Sequence, residues 1–128
     1  MSIESVLYTK LSGSSGITSL VGANIYPTLA PESVTAEFIT FHKVNQDTDR
    51  HLCGITTLRS STFDFYGWSA TALGAVSIGD AVHDALVMAA FGSGPYVKGS
   101  RLDSMVSFYE NESRLYRVAV TITFYYSV

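Results

Sequence analysis

The chain has 128 residues, 47% of them hydrophobic and 15% charged, with a formal net charge of −3 and a pI near 5.4. This length suits one domain with its own core, and the apolar content excludes general disorder. The eight basic residues are scattered and no two are adjacent. That excludes a nucleic-acid-binding module, which needs a clustered cationic footprint to displace counterions.

Ser2–Leu11 reads as a short helix, with Ile3, Val6, Leu7 and Leu11 on one side. It is too polar for the apolar core of a signal peptide, so the chain is expected not to be exported. No apolar run reaches the length of a membrane span. Ser12-Gly13-Ser14-Ser15-Gly16 is a flexible break. Ile17–Val21 predicts one or two helical turns ended by Gly22, and Asn24-Ile25-Tyr26 a short extended piece. Pro27 and Pro31 keep Thr28–Ser33 out of regular structure.

Ala36–Val44 is the first clear strand. Side chains alternate along an extended chain, so Phe38, Thr40, His42 and Val44 share one face and Glu37, Ile39, Phe41 and Lys43 the other. Asn45–Gly54 is polar, charged and long for a hairpin loop. It is expected to be mobile in an isolated subunit and to order against a neighbour.

Thr57–Trp68 predicts a second strand, followed by a change of period at Ser69. From Ala70 the apolar residues Ala72, Val76, Gly79, Val82, Leu86 and Ala90 recur at helical spacing, with Ser77, Asp80 and Asp84 opposite. The spacing predicts a helix of about five turns over Ala70–Phe91, with Ser69 as its N-cap and Gly92 as its stop. This helix is expected to cover one face of the sheet. Leu86→Ala should then cost on the order of 2–5 kcal/mol.

Gly92-Ser93-Gly94-Pro95 is a loop and Tyr96–Ser100 a short extended return. Asp103–Glu110 and Arg114–Val128 predict an antiparallel hairpin around the turn residues Glu110-Asn111-Glu112-Ser113. In the last strand Tyr116, Val118, Val120, Ile122, Phe124 and Tyr126 form one face. Arg117, Ala119, Thr121, Thr123 and Tyr125 form the other. It is far longer than the usual five or six residues, so either a bulge bends it or one end projects and pairs elsewhere. The expected fold is therefore α+β in a single domain: a mainly antiparallel sheet of about four strands, one long helix on it, and a short N-terminal helix. With one Trp, eight Tyr and seven Phe, aromatics fall on both strand faces. Either helices cover both faces, or another copy of the chain buries part of the surface.

Chemistry is sparse. Asp80, His83 and Asp84 share a helical face, but lack metal ligands from a second element, so they read as a solvated polar face. Asp47-Thr48-Asp49 starts like a calcium loop. Leu52 and Leu58 stand where that loop needs Gly and Glu, which rejects it. Cys53 lies near His51 without a third group to orient the histidine, and as the sole cysteine it makes no internal disulfide. Asn111-Glu112-Ser113 matches the glycosylation sequon, which means little without secretion. Gly92-x-Gly94 follows a helix and lacks the later glycine of a dinucleotide fingerprint. His42 reads as a hydrogen-bonded sheet histidine. No catalytic, cofactor-binding or metal-binding residue is assigned, and no cofactor is implied.

The order of elements resembles the tail-completion, or tail-terminator, proteins of long-tailed bacteriophages. The resemblance is carried by helix Ile3–Leu11, then Val21-Gly22 running into Ile25-Tyr26-Pro27, and Phe38-Ile39-Thr40-Phe41. It continues through Phe63-Asp64-Phe65-Tyr66-Gly67-Trp68 with its following helix, Phe108-Tyr109-Glu110, and Leu115-Tyr116-Arg117 with the aromatic strand to Tyr126. Glu37 stands where a proline is expected before Phe38. The resemblance implies an α+β fold similar to the lambda tail terminator and a non-enzymatic role. It implies a six-membered ring at the head-proximal end of the tail tube, which stops tube polymerisation and offers a surface to the head. The implied partners are further copies of the chain, the major tail tube protein and a head connector or neck protein. DNA would pass without specific binding, no membrane is involved, and the location is the virion tail, with assembly in the host cytoplasm. Two alternatives stand beside this: another neck or head–tail connector subunit, and a small metal- or ligand-binding domain using Asp80, His83 and Asp84.

Overall fold

A computed structural model of the chain describes residues 3–22, 24–27, 37–51, 54–87, 90, 96–110 and 115–127. Helix α1 (Ile3–Ser12) buries Ile3, Val6, Leu7 and Leu11, the side predicted from the sequence. The break after it is only Gly13 and Ser14, because α2 (Ser15–Val21) starts at once. Gly22 ends α2 at φ 62°, a left-handed backbone that glycine adopts without a Cβ penalty.

Five strands form one sheet in the order β1-β2-β3-β5-β4. They are β1 (Ile25–Pro27), β2 (Phe38–His51), β3 (Gly54–Ser69), β4 (Tyr96–Glu110) and β5 (Leu115–Ser127). The four long strands pair antiparallel, as the alternation requires. β1 adds a short parallel rung, Ile25 opposite Ile39. The expected loop over Asn45–Gly54 is corrected: β2 runs on to His51 and pairs with β3 down to His51 opposite Gly54. The expected projecting end of β5 is corrected too. β5 is an inner strand, flanked by β3 and β4 out to Ser127. The register shifts fall instead in the β2–β3 and β4–β5 ladders, leaving Val44 extra in β2, Asp49 set against residues 56–58 of β3 without regular pairing, and Lys98 and Asp103 extra in β4.

Helix α3 (Ala72–Leu86) is the 15-residue element that covers the sheet, about four turns long. Its cap is Thr71, whose hydroxyl accepts the Gly74 amide at 3.0 Å, and not Ser69. Ser69 is the last residue of β3, fully buried, and donates to Glu37. The buried stripe is Ala75, Ile78, Gly79, Val82 and Leu86. Ala72 and Val76, expected inside, face out. Ala90 lies beyond the helix, and Gly92 lies outside the described residues. Close approach explains two glycines: a Cβ on Gly67 would sit 2.5 Å from Ile78 Cγ2, and one on Gly79 would sit 2.9 Å from Val118 Cγ2.

The core lies between α1–α3 and one sheet face. Phe41, Phe63, Phe65, Phe124, Val118, Val120 and Ile122 fill it, all at most 1% exposed. Their rings meet stacked, tilted and edge-on at centroid distances of 5.6–6.4 Å. The opposite face carries no helix among the described residues.

Candidate functional site

The residues weighed for chemistry do not converge. Asp80, His83 and Asp84 sit on α3, where His83 Nδ1 is 3.2 Å from Asp84 Oδ1 and the Asp84 side chain is 82% exposed. Among the described residues, no three His, Cys, Asp or Glu side chains are placed to hold a metal ion. The backbone of Asp47, Thr48 and Asp49 belongs to β2, with Asp47 opposite Ser60. A paired strand cannot wrap a calcium ion, so the rejection from sequence holds. Cys53, Gly92, Gly94 and the sequon lie outside the described residues.

The helix-free sheet face holds the organised polar groups. Asp64, on β3, is their hub. It accepts a hydrogen bond from Thr121 at 2.7 Å and one from Tyr66 at 3.3 Å. His42 Nε2 lies 3.9 Å away, with the His42 ring stacked on Tyr66. Burial pushes the Tyr66 phenol above its ordinary pKa, and the negative charge and hydrogen bond of Asp64 add to this, while Arg117 opposes it. Tyr66 is therefore a held donor and not an acid. One rung away, the Thr62 and Thr123 hydroxyls meet at 2.9 Å, Thr123 donates to Asp103, and Arg101 donates to Asp103 at 2.9 Å. Each carboxylate is engaged in holding strands together. The hydroxyls beside these carboxylates, Thr121 and Thr123, donate from one strand to the next.

The other end of this face is aromatic. The strand register places Phe38, Trp68, Arg117 and Phe108 on one line across four strands. Phe38 and Trp68 stack at 5.6 Å, and the Trp68 indole donates to Thr40. The Arg117 guanidinium lies 4.0 Å from the Phe108 ring centre, 4.9 Å from Tyr66 and 5.1 Å from Trp68. This line was missed in the sequence. Its signal was Arg117 alone among aromatic and aliphatic residues of a strand. Beside it, Phe108, Tyr109, Val76 and Leu73 are exposed, Leu73 at 81%. Phe108, Tyr109 and Val76, with Tyr116 and Ala72, border a shallow cleft of about 250 Å³. Apolar exposure clustered around an edge strand is a feature of surfaces that meet other molecules.

The sequence model of the family described as "Tail completion protein gp17" matches residues 5–127. No curated protein matches the chain in sequence. Among solved structures, the fold is similar to a chain from the virion of a native gene transfer agent particle. The TM-score is 0.80 at 17% identity, covering 98% of this chain and 95% of that one. At that identity the likeness is one of fold alone.

Proposed function

The chain belongs to the tail completion protein gp17 family and is a structural protein of a phage-type tail; from that premise we propose that it is the tail terminator. In this reading copies of the chain close into a ring, a hexamer, at the head-proximal end of the tail tube. The ring stops the tube from growing and gives the head connector or neck protein a surface to join. The major tail tube protein is its partner on the other side. The subunit belongs to the virion and assembles in the host cytoplasm.

The observation that carries the reading is family membership over nearly the whole chain. Two features support it. Among the described residues the polar groups of the open face form pairwise contacts between strands, which suits an assembly protein. The net charge of −3 suits a channel that passes DNA, because cationic walls would hold phosphates by counterion release. The acidic α3 face around Asp80 and Asp84 belongs to that neutral-to-acidic surface.

Electron microscopy of particles assembled without this protein tests the role. A terminator's absence leaves tubes of uncontrolled length and no joined heads. Tails of normal length that fail to join heads would contradict it and favour a neck subunit.

A further inference from the structure

We propose that the outer edge of β4 and the free edge of β2 are the two halves of one interface, pairing antiparallel between successive copies of this chain. The proposal rests on the ring reading above and names its contact.

Three observations carry it. First, the sheet has two open edges. β4 is an outer strand of 15 residues. On the other side, β1 covers only Ile39–Phe41 of β2, and among the described residues no strand pairs with that side of β2 from His42 to His51. Long unpaired edges are templates for another strand. β4 is interrupted by extra residues at Lys98 and Asp103 and runs regularly from Ser104 to Glu110, where Val106, Phe108 and Tyr109 are exposed.

Second, the directions fit. β2 and β5 run one way, and β3 and β4 the other. Rotation about an axis along the strands brings β2 of the next copy antiparallel to β4. The two edges differ, so the contact is heterologous, the kind that builds a ring where the rotation closes. A twofold pairing of β4 with itself would stop at a dimer.

Third, charge and height match. Val44–Asp49 of β2 contains Asp47 and Asp49 and no base. Tyr96–Leu102 of β4 contains Lys98 and Arg101 and no acid. The register sets Asn45, Thr62, Thr123 and Arg101 on one line across the sheet, and Asp47, Ser60, Tyr125 and Gly99 on another. Asp47 on one edge therefore stands level with Gly99, between Lys98 and Arg101 on the other, and a rotation along the strands carries one set to the other. Arg101 already holds an exposed pair with Asp103, a weak bond that leaves it able to exchange. Complementary charge at such an edge selects partner and register.

A charge swap tests this. Strand tilt in a closed sheet moves contacts along the edges, so both charges on each edge are reversed together. The purified full-length protein is weighed by light scattering, beside K98E/R101E, D47K/D49K and the fourfold variant, with melting curves to confirm folding. The parent should weigh a multiple of the 13.9 kDa subunit. Each double variant should fall to one subunit. An equimolar mixture of the two should regain the parent's mass by alternating around the ring, since each edge then meets the opposite charge, and the fourfold variant should regain the parent's mass alone. Double variants that keep the parent's mass, or a folded fourfold variant that stays monomeric, overturn the edge contact and leave the ring intact as a reading. A parent that is monomeric both in solution and in the particle overturns the ring itself.

Discussion

Phe65 and Tyr66 are neighbours in β3 and live in different surroundings. Phe65 is fully buried under the helices, among Phe41, Phe63 and Phe124. Tyr66 lies on the helix-free face, half-buried, with its hydroxyl on Asp64 and its ring between His42 and Arg117. One face is stabilised by burial, the other by contacts between strands. Both are rich in aromatics. The difference explains how the chain carries so much aromatic surface: some rings fill the core, and others pack between strands on the open face.

Truncating the buried face should cost most. Phe65→Ala removes a ring from a closed core and should destabilise by about 3–5 kcal/mol in a denaturant titration. Leu86, also fully buried, should behave similarly. Gly67→Ala tests how tightly α3 lies on that face. Its methyl would enter the space of Ile78 and Val118, and about 1–3 kcal/mol should be lost. If Gly67→Ala melts with the parent, the helix does not lie as close as described.

Changes on the open face should cost less. Asp64→Ala leaves the Thr121 and Tyr66 hydroxyls without their acceptor. Water can reach them, so the loss should be about 1 kcal/mol. Arg117→Met keeps the aliphatic stem and removes the cation between Trp68 and Phe108, for roughly 0.5–1 kcal/mol. A loss as large as that of Phe65→Ala would erase the distinction between the faces.

The smallest effect is a pH slope. The Tyr66 phenol is raised above 10.0 in the fold. Below that pH both states keep the proton and its contribution is constant. Above it the unfolded chain ionises first, so stability falls with rising pH until the folded phenol also loses its proton. Urea midpoints of the parent minus those of Tyr66→Phe should fall between pH about 9 and about 11. A difference that rises there would contradict the burial of this hydroxyl.

Much of the fold was legible because burial writes a period into the sequence. α1 and the two faces of β5 are read directly from it. The rest failed for identifiable reasons. Ala72 and Val76 are apolar but exposed, so the apolar count turned the first turns of α3 away from Ala75 and Ile78, while Gly79, Val82 and Leu86 are buried as read. Ser69 looked like a cap because β3 ends there, yet the bend runs through Thr71, which is the cap, and the helix begins at Ala72. Asn45–His51 has no alternation to read. It contains no apolar residue to mark a face, and its end, Arg50 and His51, lies where β3 pairs with β2 alone. β1 is three residues long, too short for any period. The open-face line of Phe38, Trp68, Arg117 and Phe108 comes from four strands distant in sequence, and only register joins them.

The claim that this chain completes a tail is tested most directly by a residue-resolution reconstruction of the assembled tail end. The account predicts a closed ring of this chain between the tail tube and the head, with β4 of each copy against β2 of the next and a neutral-to-acidic channel. A single copy at that position, a ring elsewhere in the particle, or a channel lined by Arg59, Arg101 and Arg117 would contradict it.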